Sequence, residues 1–302
     1  MIAERIRLTG RTVIVSGAGG GGIGTTCARG LLEAGATVLG VDRDAERLAA
    51  IEAELADSTG TQDSTGPADS AGPVGPRGTL RTVCADVSTA EGVATVLERA
   101  AAAPGELYGL VNVVGGSLLP HWAPALDFDR AQWDESFELN LHHVMWLSQA
   151  VARHLVAHES PGSIVTINST GGVVAAPYHV GYGTAKAAVL GLTRTLALEW
   201  GRYGIRVNGI AAGSITTPRA TAAAQDPELA GRGVPLRRRG TPADVAAAVL
   251  FLISDLSAYT TGAVIPVEGG ALHRLGLFDE DNVPVHVTNP QILVRIHGDA
   301  PD

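Results

Sequence analysis

Seven short runs rich in β-branched residues alternate with helix-patterned segments along most of this chain: Thr12 to Ser16, Thr37 to Val41, Leu80 to Ala85, Leu107 to Asn112, Ser163 to Asn168, Arg206 to Ile210 and Val264 to Val267. A helix between two strands returns the chain to the same end of a sheet, so strands joined in this way run parallel and are covered on both faces. The pattern predicts an α/β protein built on a doubly wound, seven-stranded parallel sheet flanked by helices. Pro266 falls inside the last run, and because proline cannot donate to a ladder, that strand is expected at an edge. No internal repeat interrupts the alternation.

The loop after the first run narrows the class further. Ser16-Gly17-Ala18-Gly19-Gly20-Gly21-Gly22-Ile23-Gly24 leads into an apolar helix through Ala28, Leu31 and Leu32. A backbone without side chains can approach a diphosphate closely, and the helix amino terminus adds free N–H groups and partial positive charge. Placed between a strand and a helix, the loop predicts a Rossmann-type dinucleotide site. The second strand ends in Asp42, eighteen residues after Gly24, where a carboxylate can accept hydrogen bonds from ribose hydroxyls and repel a 2′-phosphate. NAD is therefore expected in preference to NADP, although Asp42 has a second reading as a helix cap, and Arg43 beside it is able to receive a phosphate. Asp86, beyond the third strand, is placed to meet the adenine edge. Asn112, at the end of the fourth, is expected to hold neighbouring backbone in register beneath the cofactor.

A second constellation lies further along. Lysine occurs once, at Lys186, among 22 basic residues that are otherwise arginine. It follows Tyr182 by four positions, a spacing that puts phenol and ammonium on one helix face. The stripe Tyr182, Ala185, Lys186, Val189, Thr193 and Leu196 is otherwise small or apolar, so Lys186 is expected to point inward, where an unpartnered ammonium is costly. The apolar run Ile164-Val165-Thr166-Ile167 ends in Asn168-Ser169-Thr170-Gly171-Gly172, which reads as a buried strand delivering the Ser169 hydroxyl to the same place. Asn140 lies in the stripe Trp133, Phe137, Asn140, Leu141, Val144, a polar group on a core-facing side that needs a partner.

Composition bounds the rest. With 302 residues and 45% hydrophobic content there is enough apolar material for a sizeable core. The net charge of -9 leaves no basic surplus for nucleic acid or anionic lipid, and Arg237-Arg238-Arg239 is too short a run to build such a footprint. Cys27 and Cys84 offer neither a disulfide framework nor zinc spacing, no apolar run reaches membrane-spanning length, and the first strand begins near Thr12, ahead of which a cleavable signal sequence does not fit; the expected location is the cytoplasm. Residues 57–79 are almost wholly Ser, Thr, Gly, Pro, Asp and Ala and read as a mobile insertion. The tail, 272–302, holds Val283, Val285, Val287, Ile292, Leu293, Val294 and Ile296, and is expected to dock on the domain formed by residues 1–271 or on a neighbouring subunit.

From about Leu8 to Ala271 these residues together resemble the short-chain dehydrogenase/reductase family. The resemblance implies that Tyr182 is the catalytic acid/base, that Lys186 lowers its pKa and binds the nicotinamide ribose, that Ser169 polarises the carbonyl, and that Asn140 supports a proton-relay water. It also implies cofactor contacts from Gly17, Gly22, Ile23, Gly24, Asp42, Arg43, Asp86, Val87, Asn112 and Gly115, and from Gly213, Ile215 and Thr217 in the stretch that folds over the nicotinamide. Three departures stand out. Gly17 to Gly22 encloses four residues where the family's TGxxxGxG has three, so the diphosphate turn is expected one residue longer; Asn-Asn-Ala-Gly appears as Asn112-Val113-Val114-Gly115; and Pro-Gly after the sixth strand appears as Ala212-Gly213.

The substrate pocket is expected from Ser117 to Trp122, Pro177 to Val180, Ser214 and a short lid from Pro218 to Val234, with Trp122, His179 and Ser214 as contacts. It is mostly apolar and small, which suits a compact secondary alcohol or ketone, cyclic ones included. His121 and His179 have the chemistry to bond a polar substituent, while their loop positions point first to a solvent-facing role. His154 and His158 have a metal-compatible spacing but no evident third ligand, so no metal is expected. Trp122, Trp133, Trp146 and Trp200 read as core or interface anchors. A 3-oxoacyl-thioester reductase is the alternative activity, against which Asp42 and the acidic chain argue; a non-catalytic NAD(H) sensor is the third reading, against which the intact Ser169, Tyr182, Lys186 and Asn140 argue. The family resemblance implies a homotetramer or homodimer through the helices carrying Asn140 and Tyr182, with Gly181, Gly183, Ala187 and Ala188 permitting close approach.

Overall fold

The computed structural model describes residues 2–60, 78–118, 121–218, 233–273 and 289, side chains of 56–60 excepted. Seven strands form one parallel sheet: β1 (Arg11–Ser16), β2 (Thr37–Asp42), β3 (Leu80–Cys84), β4 (Glu106–Asn112), β5 (Gly162–Ser169), β6 (Ile205–Ala212) and β7 (Val264–Val267), in the order β3-β2-β1-β4-β5-β6-β7. The order reverses between β1 and β4, and a crevice opens at that switch point beyond the carboxyl ends of the strands. β7 is an edge strand, with Pro266 opposite Ala211.

The central strands are apolar on both sides because helices cover both faces. On one face Val13, Val15, Val38, Val111, Val165 and Ile210 pack with α1 (Ile23–Glu33), α2 (Ala45–Gly60) and the last helix, α7 (Pro242–Ile253). On the other, Ile14, Leu39, Leu110, Ile164 and Val207 pack with α3 (Ala90–Ala101), α5 (His143–Ala157) and α6 (Val180–Trp200). Local signals start these helices where the sheet needs them. Asp129 and Gln132 form a reciprocal cap on α4 (Arg130–Phe137), and Thr241 with Asp244 does the same for α7, whose first residue is Pro242. At the opposite end of the sheet, Arg11 makes two bonds to Asp255, at 3.0 and 2.9 Å, and lies 4.0 Å from the Tyr108 ring centre.

Two sequence expectations change here. α2 continues to Gly60, so the expected insertion begins later than residue 57; its residues 61–77 lie outside the described residues, as do lid positions 219–232 and the tail beyond His273, Asn289 apart. The glycines expected to serve a subunit interface are used within the chain: a Cβ on Gly181 would lie 2.6 Å from Ser136 Oγ, and one on Gly183 2.7 Å from Ala176 Cβ.

Candidate active site

A cavity of about 1280 Å³ opens at the switch point. That exceeds the roughly 300–1,000 Å³ of a pocket for one small ligand and suits a dinucleotide and a substrate together. One wall is the loop after β1. Gly17 and Gly21 are left-handed and flank a 3-10 turn at Ala18–Gly20, which accommodates the longer spacing. Thr25 ties the loop to α1: its Oγ1 donates to the Ala18 carbonyl at 2.6 Å and accepts from the Gly21 N–H at 2.9 Å. Gly24 has no room for a side chain, since a Cβ there would overlap the Gly17 carbonyl oxygen. Bare backbone at a helix amino terminus fits a diphosphate, and it is this cradle that makes the cavity suitable for a dinucleotide.

The facing wall carries the polar groups. β5 delivers Ser169 at its carboxyl end, and α6 brings Tyr182 and Lys186 to the same cavity. Asn168 Nδ2 donates to the Lys186 carbonyl at 3.1 Å, fixing α6 to β5. Lys186 is buried, and its Nζ donates to the Ile167 carbonyl at 3.1 Å and lies 5.9 Å from the Tyr182 ring centre. Burial pushes its pKa down from 10.5 to about 8. The Ser169 Oγ accepts from the Gly171 N–H at 3.1 Å, which leaves its own hydrogen to be given elsewhere. Gly115, at φ 143, sits where a Cβ would meet Asn140 Oδ1 at 2.9 Å and Lys186 Nζ at 3.2 Å.

The helix carrying Asn140 is irregular. Between α4 and α5 the turn Glu138–His142 is π-helical. Within it the Asn140 carboxamide grips Gly116: Oδ1 accepts from the Gly116 N–H at 2.8 Å and Nδ2 donates to the Gly116 carbonyl at 3.0 Å, with a further bond to the Ser136 carbonyl at 3.0 Å. Both side-chain N–H groups are therefore engaged with protein. Three residues on, His143 is buried, its Nε2 lies 3.0 Å from the Leu139 carbonyl, and its Nδ1 has no hydrogen-bond partner among the described residues. Burial first, and the Lys186 charge second, push its pKa down to about 4, so the ring is neutral with its proton on Nε2.

Of the residues expected at the site, Gly17, Gly22, Ile23, Gly24, Gly115, Ser169, Tyr182, Lys186, Gly213, Ser214, Ile215, Thr217, Trp122 and His179 line the cavity. Asp42, Arg43, Asp86, Val87, Asn112 and Asn140 do not. Asp42 lies just beyond it, with Oδ2 accepting from the Gly19 N–H at 3.1 Å and Oδ1 from the Asp44 N–H at 3.2 Å. The cap of α2 belongs instead to Asp44, whose Oδ1 accepts from the N–H groups of Glu46 and Arg47. The Asp86 carboxyl is held below its ordinary range chiefly by its bonds from Ser88. Asn112 is corrected: it bonds the hydroxyls of Ser148 at 3.0 Å and Thr166 at 3.3 Å rather than neighbouring backbone, bridging β4 to α5 and β5 from the core.

His121 is not solvent-facing; it is 5% exposed and held between Glu135 and Ser136. His179 lines the cavity, its ring edge-on to Trp122 at 4.2 Å, with a buried Nε2 that has no hydrogen-bond partner among the described residues. Trp122, Trp133 and Trp146 are too exposed to be core anchors. The rings of His154 and His158 stack 4.1 Å apart, and no group of three or more His, Cys, Asp or Glu suited to a metal gathers among the described residues. Missed by sequence reasoning were Thr25, whose hydroxyl at the first turn of α1 is a readable cap-like signal, and Arg239, a cavity-lining cation hidden in a run of three arginines.

A glycine cradle at a switch point, faced by a hydroxyl, a phenol and a buried ammonium, defines a doubly wound α/β protein of the dinucleotide-fold class. Within that class, the chain belongs to the short-chain dehydrogenase/reductase family. A family model described as enoyl-(acyl carrier protein) reductase matches residues 17–272. L-xylulose reductase of Bos taurus is 33% identical over 270 residues, covering 88% of this chain and 98% of its own. A (3R)-3-hydroxyacyl-CoA dehydrogenase of Canis lupus familiaris is 35% identical over 272 residues, covering 89% and 99%. Among solved structures, a gluconate 5-dehydrogenase of Burkholderia cenocepacia J2315 in complex with NADP and tartrate superposes with a TM-score of 0.76 at 30% identity, covering 91% of this chain and 100% of that one. No helix among the described residues is long and apolar enough to cross a membrane.

Proposed function

We propose that this protein interconverts a secondary alcohol and a ketone on a compact small molecule, with NAD preferred to NADP as redox partner. The observation that carries the reading is the convergence of Ser169, Tyr182 and Lys186 on one wall of a cavity whose other wall is the glycine cradle. When bound, the nicotinamide supplies hydride chemistry. The chain's residues do the rest. Tyr182 exchanges a proton with the substrate oxygen, and the nearby Lys186 ammonium favours the phenolate that this requires. The Ser169 hydroxyl donates to the developing alkoxide while its oxygen accepts from the Gly171 N–H. Asn140 acts by position: it fixes both backbone groups of Gly116 on the cavity wall.

Gly17, Gly22, Ile23 and Gly24 would hold the diphosphate, Gly115, Gly213, Ile215 and Thr217 the nicotinamide half, and Asp42, Arg43, Asp86 and Val87 the adenosine half. Asp42 supports NAD, since its carboxylate repels a 2′-phosphate; the NADP-bound gluconate dehydrogenase is the precedent on the other side. Asp42→Ala is expected to relax the preference, and steady-state efficiencies with the two cofactors check it: an unchanged ratio means another group reads the ribose. Reduction of the 3-ketone of a 3-oxoacyl thioester is the second reading, favoured by the similarity to the hydroxyacyl-CoA dehydrogenase.

Assembly as a homotetramer or homodimer fits the outer faces of α5 and α6, where Trp146 is 53% and Leu198 87% exposed in the single chain. Light scattering is expected to give a multiple of the chain mass; a monomer contradicts this. A cytoplasmic location fits the two unpaired cysteines. Residues 1–271 are taken as the catalytic domain, with an insertion between α2 and β3 and 272–302 docking on it or on a neighbour.

A further inference from the structure

Arg239 lines the cavity and has no task in the mechanism above. The three consecutive arginines part company. Arg237 adopts a left-handed φ of 56, and Arg238 turns outward to make two bonds to Asp244, at 2.7 and 2.9 Å. Arg239 turns to the cavity, where Nη2 donates to the Ile215 carbonyl at 3.0 Å while Nε is buried with no hydrogen-bond partner among the described residues. No carboxylate among the described residues pairs with it, and no Asp or Glu is among the described residues that line the cavity. A buried, unmade guanidinium bond is costly, and the planar fork of arginine matches the geometry of an oxyanion.

The surroundings say which oxyanions are within reach. Arg239 is bonded to the segment that contains Ile215 and Thr217, and this segment packs on the glycine loop: a Cβ on Gly22 would lie 3.3 Å from Thr217 Cβ. The loop itself, residues 17–24, contains no basic side chain. Lys186, the other cation among the described residues that line the cavity, is buried, lies 5.9 Å from the Tyr182 ring centre and is bonded to Ile167.

We propose that Arg239 is an oxyanion-binding residue of this cavity, supplying through Nε–H and its remaining Nη–H groups the charge that the glycine loop lacks. The oxyanion is the dinucleotide's diphosphate or the carboxylate of an acidic substrate, an assignment of ligands that rests on the dehydrogenase reading.

Calorimetry with ADP-ribose, which carries the diphosphate without the nicotinamide, tests the first source. KM values for a neutral polyol and a hydroxy acid test the second. In Arg239→Leu, ADP-ribose affinity is expected to fall on the order of tenfold or more, with partial recovery in Arg239→Lys. If the substrate carboxylate is the partner, ADP-ribose binding holds and KM rises for the hydroxy acid alone. Both ADP-ribose affinity and both KM values within about twofold of wild type overturn the proposal. Thermal melts establish that each variant is folded, and Arg239→Gln, which keeps a donor near Ile215 without the charge, replaces Leu if that variant unfolds. If the wild type turns over no alcohol, the dehydrogenase reading fails by itself; ADP-ribose affinity alone then decides, a loss in Arg239→Leu supporting the proposal and retention overturning it.

Discussion

Tyr182→Phe is expected to lower kcat on the order of 10²- to 10⁴-fold, the range of a positioned proton-transfer group, while leaving dinucleotide affinity within a few-fold. The substitution removes one oxygen and keeps the ring. The edge-on contact with His179, centres 6.4 Å apart, and the approach of Lys186 to the ring face are contacts of the ring rather than of the hydroxyl. A loss confined to kcat therefore isolates the proton transfer from binding. Stopped-flow mixing of variant and substrate, with dinucleotide affinity measured separately, checks the split; a parallel loss of affinity makes Tyr182 a binding group instead.

Lys186→Met is expected to do two opposed things: lower kcat on the order of 10²-fold, and stabilise the fold near neutral pH. The ammonium is buried and its pKa is pushed from 10.5 to about 8, a depression worth about 3 kcal/mol against the folded state while the lysine stays charged. Methionine removes that cost and loses the bond to the Ile167 carbonyl, worth about 1 kcal/mol, so a net gain of about 1–2 kcal/mol is expected. The sign with pH follows from linkage. Because the folded value lies below the unfolded one, the unfolded chain binds more protons between about 8 and 10.5, so the lysine's penalty is full below pH 8 and fades as pH rises through that window. The advantage of Lys186→Met in urea melts is thus greatest near neutrality and shrinks toward pH about 10. An equal advantage at both pH values contradicts a buried ammonium.

Much of this was legible in the residues because it depends on local pattern. The β-branched runs located all seven strands, and Pro266 marked the edge; the glycine loop declared its close contact, and the isolation of Lys186 among arginines pointed to Ser169 and Tyr182 across the crevice. What sequence missed depends on partners distant in the chain or on local irregularity. His121 reads as a loop histidine, yet Glu135 and Ser136 of α4 enclose it. Gly181 and Gly183 advertise close approach without saying to what, and within the chain they admit α4, with the residue ahead of it, and the loop after β5. The π turn at Glu138–His142 has no compositional mark, so the carboxamide of Asn140 reads as a polar group in need of a partner and not as a clamp on Gly116. Arg237-Arg238-Arg239 reads as one charge run, but backbone direction separates three neighbours that composition makes identical.

Formation of reduced cofactor by wild type and Tyr182→Phe, side by side, on a panel of polyols and of cyclic, aromatic and aliphatic secondary alcohols with NAD and with NADP, decides whether Tyr182 carries the proton. Reduction of NAD by at least one alcohol of the panel, and its loss in the variant, is the expected result. Turnover that survives in Tyr182→Phe, or a wild-type chain that binds neither dinucleotide, contradicts it.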